Sequence, residues 1–291
     1  MNGVLNIFKP KGMTSFDVVR RVKKVCNTGK VGHTGTLDPD ATGVLPVCIG
    51  RATKIIDYIM DSHKVYEVEF KLGIKTDTYD ISGEILEERD PSSLKDEEIL
   101  EAVNSFLGEY SQVPPMYSAL KQNGVRLYTL ARQGIEVERE GRNITIYSLS
   151  DIKINNPYVS MRVECSKGTY IRSLCYDIGE KLGVFATMTE LNRAETSVFK
   201  QEESVNINDL TAENYQDYLI SLEDALNQYD RITVNSKYTK LLVNGVRVGD
   251  TRYTKDEVIE GRLYRVYDND KFLGLGSRDK AGFKIEKLLL T

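Results

Sequence analysis

One carboxylate, Asp38, is the residue of this chain whose setting best suits chemistry. It stands in GHTGTLDPDATGVLPVCIG, residues 32–50, a stretch that suits neither a regular helix nor a central strand. The glycines of this stretch permit backbone angles that other residues avoid, and Pro39 directs Asp38 toward an extended conformation. The apolar run 44–49 is typical of a buried strand that would anchor the loop. These features favour an ordered functional loop over a solvated turn.

The cysteines and histidines give little support for metal or disulfide chemistry. The four cysteines form no Cys-x-x-Cys pair, and the chain has two histidines. Such usage predicts neither a structural zinc site nor a disulfide framework. His33 shares the glycine-rich loop with Asp38, and could serve as a metal ligand, a general base or a stacking group. No second ligand lies at metal spacing from it.

The stretch GHTGTLDPDATGVL resembles the catalytic motif of the TruB family, the bacterial stand-alone pseudouridine synthases that act on the T-loop of transfer RNA. Five further blocks resemble the same family and follow in its order: LNIFKPKGMTSFDVV (5–19), KVYEVEFKLGIKTDTYDISG (64–83), QVPPMYSALKQNGVRLYTLAR (112–132), CSKGTYIRSLCYDIGEKLG (165–183) and MTELNRAETSVF (188–199). The resemblance covers nearly all of residues 1–230 and continues into a C-terminal segment. Six blocks in the same order make it a specific signal.

The resemblance implies three catalytic residues. Asp38 matches the family's nucleophile, and Arg172 matches the arginine that pairs with it. Tyr66 matches the tyrosine that stacks on the target base and acts as a general base. An arginine beside Asp38 is physically reasonable, because an opposite charge lowers the pKa of a carboxyl group and offsets its desolvation. Without the resemblance, Tyr66 would be interpreted as a core residue, and an ordinary surface arginine is the alternative for Arg172.

The resemblance also implies a pocket for a flipped base. Tyr170 matches a second pocket tyrosine, and Leu191 matches an apolar residue that closes the pocket. His33 matches a histidine that inserts into the RNA loop and helps to extrude the base. Aromatic and apolar walls suit this purpose, because extrusion from the stack costs a few kcal/mol that stacking in the pocket returns.

Three basic residues complete the predicted substrate-binding set. Lys9, followed by Pro10, matches a motif that packs beside the catalytic loop and supports it. Lys54 and Arg193 are expected to contact phosphates of the RNA. The alternative for each of these two is an ordinary basic residue without a ligand.

The charge distribution is more informative than the net charge of −4 of the 291-residue chain. Residues 1–60 carry nine basic and four acidic side chains, and residues 231–291 carry thirteen and eight. The middle, 61–230, carries seventeen basic and thirty-one acidic side chains. Because affinity for phosphates depends on local basic surface, two positive ends are compatible with RNA binding. No apolar run is long enough to span a bilayer, and the N-terminus lacks the features of an export signal, so we expect a cytoplasmic protein.

The patterning predicts an α+β catalytic domain with a mixed, largely antiparallel sheet. A helix is expected after Thr14 or Ser15, with Phe16, Val19, Val22 and Cys26 on its apolar side. Strict alternation predicts a half-buried strand over 66–72, and a second strand is expected over 158–165. Helices are expected over 94–107, with Leu107 on the buried side, and over 171–182.

A domain boundary is predicted near residues 229–232, which gives a catalytic domain of residues 1–230 and a small β-domain of residues 231–291. Strands are expected in the latter at 241–243, 245–248, 264–267 and 272–276. The closing pattern of this segment resembles the end of a PUA domain, an RNA-binding module common in the family, and a generic β-domain is the alternative.

The predicted function is isomerisation of the T-loop uridine of tRNA, position 55 by family convention, to pseudouridine without metal or organic cofactor. One essential carboxylate without an evident acid partner favours isomerisation over glycoside hydrolysis, which commonly uses two. Two alternatives are a non-catalytic tRNA-folding chaperone and a glycosidase or nucleosidase. The T-arm of tRNA is the expected partner. We expect a monomer that works without guide RNA.

Overall fold

The computed structural model describes residues 2–290, and its largest element is an eleven-stranded sheet. The strands of the chain are β1 (Gly3–Lys9), β2 (Val31–His33), β3 (Thr42–Ile49), β4 (Lys64–Leu72), β5 (Ile74–Thr76), β6 (Ile85–Glu88), β7 (Gly108–Gln112), β8 (Lys121–Gln122), β9 (Val125–Arg126), β10 (Arg142–Asn155), β11 (Tyr158–Cys165), β12 (Ala186–Thr196), β13 (Phe199–Lys200), β14 (Val205–Asn206), β15 (Leu219–Ile220), β16 (Arg231–Thr233), β17 (Leu263–Asp268), β18 (Lys271–Asp279) and β19 (Gly282–Leu288). The α-helices are α1 (Ser15–Val25), α2 (Ile56–Met60), α3 (Asp96–Asn104), α4 (Leu127–Ala131), α5 (Ile171–Leu182) and α6 (Ser236–Val243).

The large sheet has the strand order β14-β1-β3-β12-β4-β11-β10-β7, with β2, β13 and β15 paired beside this path. Within the part of the chain that the structure describes, β1–β14 and β3–β12 are its parallel pairs and the rest are antiparallel. The predicted mixed, largely antiparallel sheet is therefore confirmed. One core cluster joins this sheet to α1, α3 and α5.

Helix α1 begins with a capping box, in which the Asp17 amide donates to the Thr14 hydroxyl and the Thr14 amide donates to the Asp17 carboxylate. The predicted burial of Val19, Val22 and Cys26 is confirmed, but Phe16 is 60% exposed and its predicted place on the apolar side was wrong. The buried face of α1 is formed by Ser15, Val18, Val19 and Val22, and Phe16, about 100° around the helix from Ser15, lies outside it.

Strand β4 and helix α5 follow their patterns. Tyr66, Val68 and Phe70 are buried in β4, and the apolar stripe of α5 packs against β12. The contact between α5 and β12 requires a glycine, because a Cβ on Gly179 would lie 2.0 Å from the backbone nitrogen of Ala186. Helix α3 is shorter than the predicted 94–107, and Leu107 is exposed because the chain there turns into β7.

The C-terminal segment forms a separate four-stranded sheet, β16-β17-β18-β19, as the predicted small β-domain requires. The strands at 264–267 and 272–276 are confirmed within β17 and β18. The strand at 241–243 was wrong, because Asn235 caps a helix that runs through it, and a short apolar run does not distinguish strand from helix. The predicted strand at 245–248 was also wrong, because these residues make a single β-bridge, from Val248 to Phe283. In residues 2–290 no helix has the length and apolar character needed to span a membrane.

Candidate active site

The loop that carries Asp38 connects β2 to β3 and is tied to the protein on both sides of the aspartate. The Ser15 hydroxyl donates to the carbonyl of Leu37 at 3.1 Å and accepts from its amide at 2.9 Å. The amide of Gly12 donates to the carbonyl of Pro39 at 2.9 Å. These bonds fix the residues before and after Asp38, which leaves its carboxylate little freedom. They also link the loop to the start of α1.

Glycine is required where the loop enters β3. Gly43 has a φ of +109°, and a Cβ there would lie 2.3 Å from the carbonyl oxygen of Arg193. The two residues are partners in the parallel pairing of β3 with β12. This close approach brings β12, which carries Leu191 and Arg193, against the base of the loop.

Arg172 holds the Asp38 carboxylate. Its Nε lies 3.1 Å from Oδ2 of Asp38, and its Nη2 lies 3.4 Å from Oδ1. The arginine side chain is 7% exposed, whereas that of Asp38 is 38% exposed. Burial raises the pKa of Asp38, while Arg172 and then Lys9 act to lower it. The guanidinium therefore favours the ionised carboxylate on the side that faces the protein and leaves the other side open.

Arg172 is itself held by three further acceptors. Its Nη1 donates to the carbonyl of Thr78 and to Oδ2 of Asp80, both at 3.1 Å, and its Nη2 donates to the carbonyl of Tyr117 at 2.8 Å. The other oxygen of Asp80 accepts from the Thr78 hydroxyl at 2.8 Å and from the Ser82 amide at 3.1 Å. Asp80 thus positions the arginine that positions Asp38.

Asp80 is not among the site residues predicted from the sequence. The available signal was its place in KTDTYDISG, where two aspartates lie three positions apart in a block already matched to the family. A carboxylate in a short polar turn gives no indication of the arginine, 92 residues away, that it contacts.

Tyr66 lies in β4 opposite Arg193 of β12, and its side chain points into the main core. Burial raises the pKa of Tyr66, and a hydrogen bond and the positive charge of Arg193 oppose this rise. The phenol is therefore neutral at physiological pH.

Arg193 does not lie on the surface, so its predicted phosphate contact was wrong. The residue is 1% exposed. Its Nε donates to the carbonyl of Val44 at 2.7 Å and its Nη2 donates to the carbonyl of Gly35 at 3.2 Å. The pairing of β12 with β3 and β4 buries it beneath the loop, where it holds loop carbonyls and the Tyr66 phenol together.

Lys9 is also completely buried, at 0% exposure. Its ammonium group donates to the carbonyls of Pro10, Met13 and Pro39 at 2.8–3.1 Å. Burial lowers the pKa of Lys9 to about 8, an effect that Asp38 partly opposes. This placement agrees with support of the loop and not with a substrate contact.

The remaining predicted residues are placed as follows. His33, half-buried at the end of β2, has no hydrogen-bond partner for its Nδ1 among the described residues, and burial and then Arg193 lower its pKa, which favours the neutral ring. Tyr170 is the residue before α5, and Leu191 is buried in the same cluster as Tyr66. Lys54 is exposed in the 3-10 helix Gly50–Ile55, beyond the far end of β3 from the Asp38 loop.

Two family models and curated relatives match this chain. The model of the TruB family pseudouridylate synthase N-terminal domain matches residues 23–171, and that of the tRNA pseudouridylate synthase B C-terminal domain matches residues 172–232. tRNA pseudouridine synthase B of Clostridium perfringens (strain ATCC 13124) is 63% identical over 100% of this chain and 99% of its own length. The Clostridium tetani (strain E88) protein of the same name is 56% identical over the whole of both chains.

Solved structures show the same fold. A chain of a Cbf5–Nop10–Gar1 complex has a TM-score of 0.77 and 26% sequence identity, over 98% of this chain and 84% of the other. A chain of an H/ACA ribonucleoprotein bound to a substrate RNA has a TM-score of 0.75 at 24% identity, over 99% of this chain and 85% of the other. On the family models and the curated relatives, this chain belongs to the TruB family of pseudouridylate synthases.

Proposed function

We propose that this protein isomerises the T-loop uridine of tRNA, position 55 by family convention, to pseudouridine, with Asp38 as the essential nucleophile. The TruB family isomerises uridine in tRNA, which sets the reaction class. The observation that carries the proposal is the Asp38–Arg172 pair, in which one carboxylate is held on its protein side and open on the other. After burial, the charge of Asp38 contributes to the raised pKa of both Tyr66 and Tyr170, which supports their assignment to the same site.

The reaction breaks the N1–C1′ bond of uridine, turns the uracil and forms a C5–C1′ bond, after which the proton on C5 is released. Nothing is added or lost overall, because N1 takes up one proton from water while C5 releases one to water. In the proposed mechanism Asp38 acts on the sugar, by attack on C1′ or by removal of a proton. The ionised form is needed for either step, and the guanidinium of Arg172 stabilises that form.

The other residues have supporting parts in this proposal. Tyr66 stacks on the uracil. Because its phenol is neutral, it can act as a base only when another group accepts the phenolic proton. The neutral ring of His33 fills the place of the extruded base, since an uncharged imidazole stacks without a strong desolvation cost. Lys54, exposed beyond the end of β3 that is remote from the Asp38 loop, contacts a phosphate. Lys9 and Arg193 hold the loop from below.

The proposed function includes an RNA partner, an assembly state and a compartment. The T-arm of tRNA binds directly, without guide RNA, to a monomeric and cytoplasmic protein. Residues 231–291 form a PUA-like domain that adds RNA contacts, and the separate sheet that starts at Arg231 supports the division after residue 230. Val4 and Ile55 share a core cluster with Leu275 and Leu289, so this domain is fixed against the catalytic one.

The test uses an unmodified tRNA transcript tritiated at uracil C5, with wild type, Asp38→Asn and Asp40→Asn. Asp40 is an exposed carboxylate two positions from Asp38, and serves as the matched control. We expect tritium release, mapped to the T-loop uridine, from wild type and Asp40→Asn but not from Asp38→Asn. Tight tRNA binding without release from wild type would contradict the enzyme and favour the chaperone.

A further inference from the structure

Helix α5 carries Arg172 in its first turn, yet it begins without the usual cap. Its N-cap residue is Tyr170, whose side chain makes no capping hydrogen bond. Serine, threonine, aspartate or asparagine normally takes this position and fixes the start of the helix. A helix start that must place a catalytic arginine therefore needs another constraint.

The side chain of Gln112 supplies it. Gln112 is the last residue of β7 and is 2% exposed. Its Oε1 accepts from the amide of Tyr170 at 2.8 Å, and its Nε2 donates to the carbonyl of Tyr170 at 3.1 Å. The two bonds also define which end of the amide is oxygen, because only one orientation satisfies both.

A third bond holds the amide in place. Nε2 of Gln112 also donates to the hydroxyl of Tyr110 at 2.7 Å. The chain after Gln112 continues along the same helix start, where Ser173 donates to the carbonyl of Val113 at 3.0 Å. The side chain of Gln112 is therefore held by Tyr110, and the backbone that follows it by Ser173, in addition to the two bonds to Tyr170.

We propose that Gln112 is a positioning residue for the isomerisation, because its amide clamps the backbone of Tyr170 and so fixes the Tyr170 ring and the Arg172 guanidinium relative to Asp38. The inference rests on the proposed function. Loss of the clamp frees the first turn of α5, and a displacement of about 1 Å at a catalytic group can cost 100-fold in rate. Binding of tRNA uses a much larger surface and does not depend on this turn.

The experiment compares Gln112→Leu with Asn6→Leu. Asn6 is also a buried side-chain amide, 3% exposed, and its Nδ2 donates to the carbonyl of Lys200 at 2.8 Å, away from α5. We expect Gln112→Leu to lower the single-turnover rate of tritium release at saturating tRNA by 10–100-fold, with the Kd for tRNA changed less than 3-fold. Asn6→Leu should keep the rate within 3-fold. Hydrogen exchange of the Tyr170 amide should accelerate at least 10-fold in Gln112→Leu alone.

A third variant, Gln112→Glu, adds a readout that a merely structural role would not move. Its carboxylate can accept from the Tyr170 amide but repels the Tyr170 carbonyl, whereas its protonated form can donate to that carbonyl as the amide does. The rate relative to wild type should therefore rise as the pH falls.

An unchanged rate in Gln112→Leu, or an equal loss in Asn6→Leu, would overturn the inference while leaving the proposed function intact. A loss confined to Kd would do the same. Absence of tritium release from wild type would instead defeat the proposed function and the inference with it.

Discussion

Replacement of Asp80 by asparagine removes one of the two negative charges on Arg172 with almost no change in shape. In the wild-type protein the guanidinium lies between Asp38 and Asp80, each within 3.1 Å. In the variant the guanidinium interacts with Asp38 as its single carboxylate partner, and the carbonyls of Thr78 and Tyr117 remain. The change therefore tests whether the second carboxylate sets the position of the first.

The expected effect on rate is larger than that on stability. A hydrogen bond to a charged group contributes about 1.5–3 kcal/mol. The single amide oxygen of asparagine can accept from Arg172 or from the Ser82 amide but not from both, so we expect a loss of about 2 kcal/mol in the free energy of unfolding. A shift of Arg172 and Asp38 by about 1 Å corresponds to a rate about 100-fold lower, or ~2.7 kcal/mol of barrier.

The pH dependence of the reaction rate of Asp80→Asn provides a second, independent test. The negative charge of Asp80 contributes to the raised pKa of Asp38, after burial. Its removal lowers the pKa of Asp38. In the proposed mechanism the reaction needs ionised Asp38. The rate should therefore increase with pH through this pKa, and the increase should move to lower pH in Asp80→Asn. We therefore expect two results for Asp80→Asn: a lower rate than wild type, and an acidic limb of the pH–rate profile that lies at lower pH.

The assay is single-turnover tritium release at saturating tRNA between pH 5 and 9, with Asp77→Asn as the control. Asp77 lies in the same turn and accepts from the Tyr117 hydroxyl at 3.1 Å, but it is not a partner of Arg172. Asp77→Asn should retain the rate within about 3-fold, the range of effects without displacement of a catalytic group. A wild-type rate in Asp80→Asn, or an acidic limb moved to higher pH, would refute the reasoning.

Two further predictions concern stability. Gly43→Ala should lower the free energy of unfolding by about 2–4 kcal/mol in urea titrations, because it adds backbone strain at a φ of +109° and a contact 2.3 Å from the Arg193 carbonyl; an effect below 1 kcal/mol would contradict the close approach. Burial raises the pKa of Asp177 to about 7, so the native state binds the proton more tightly than the unfolded state and stability falls as the pH rises from about 4 to 7. Asp177→Asn should therefore gain ~1–2 kcal/mol relative to wild type at pH 8 compared with pH 5, which is below the ~2.7 kcal/mol limit for the two pH units between 5 and the raised pKa because the side chain is partly solvated; equal differences at both pH values would contradict it.

The sequence was most informative where one local pattern determines the structure. The alternation in β4, the apolar stripe of α5 and the glycine-proline loop around Asp38 each depend on neighbours within a few residues. The same is true of the capping box at Thr14. Local patterns failed where two structures share one pattern, as for the apolar run 241–243, which forms part of α6.

Burial of charged residues was the part that the sequence could not supply. Arg193 looks like a surface cation because it stands in a polar, charged stretch, with Glu190 and Glu195 within three residues. Its acceptors are the carbonyls of Val44 and Gly35, 149 and 158 residues away, and strand pairing brings them together. Asp80 was missed for the same reason. The partner of a charged side chain can be identified only when the strand pairing is known. The burial of an apolar side chain can be predicted from the face of the helix or strand on which it lies.

The buried cations also explain how a carboxylate can stay ionised beneath a polyanion. Phosphates of a docked RNA raise the pKa of Asp38 further, in the same direction as its burial. They lie at the surface, where salt screens charges over about 8 Å at physiological ionic strength. Lys9 and Arg172 lie inside the protein, act through a medium of lower dielectric constant and are screened much less. Their effect on Asp38 should therefore outweigh that of the incoming phosphates, and the acidic limb of the rate should move little between 50 and 300 mM salt.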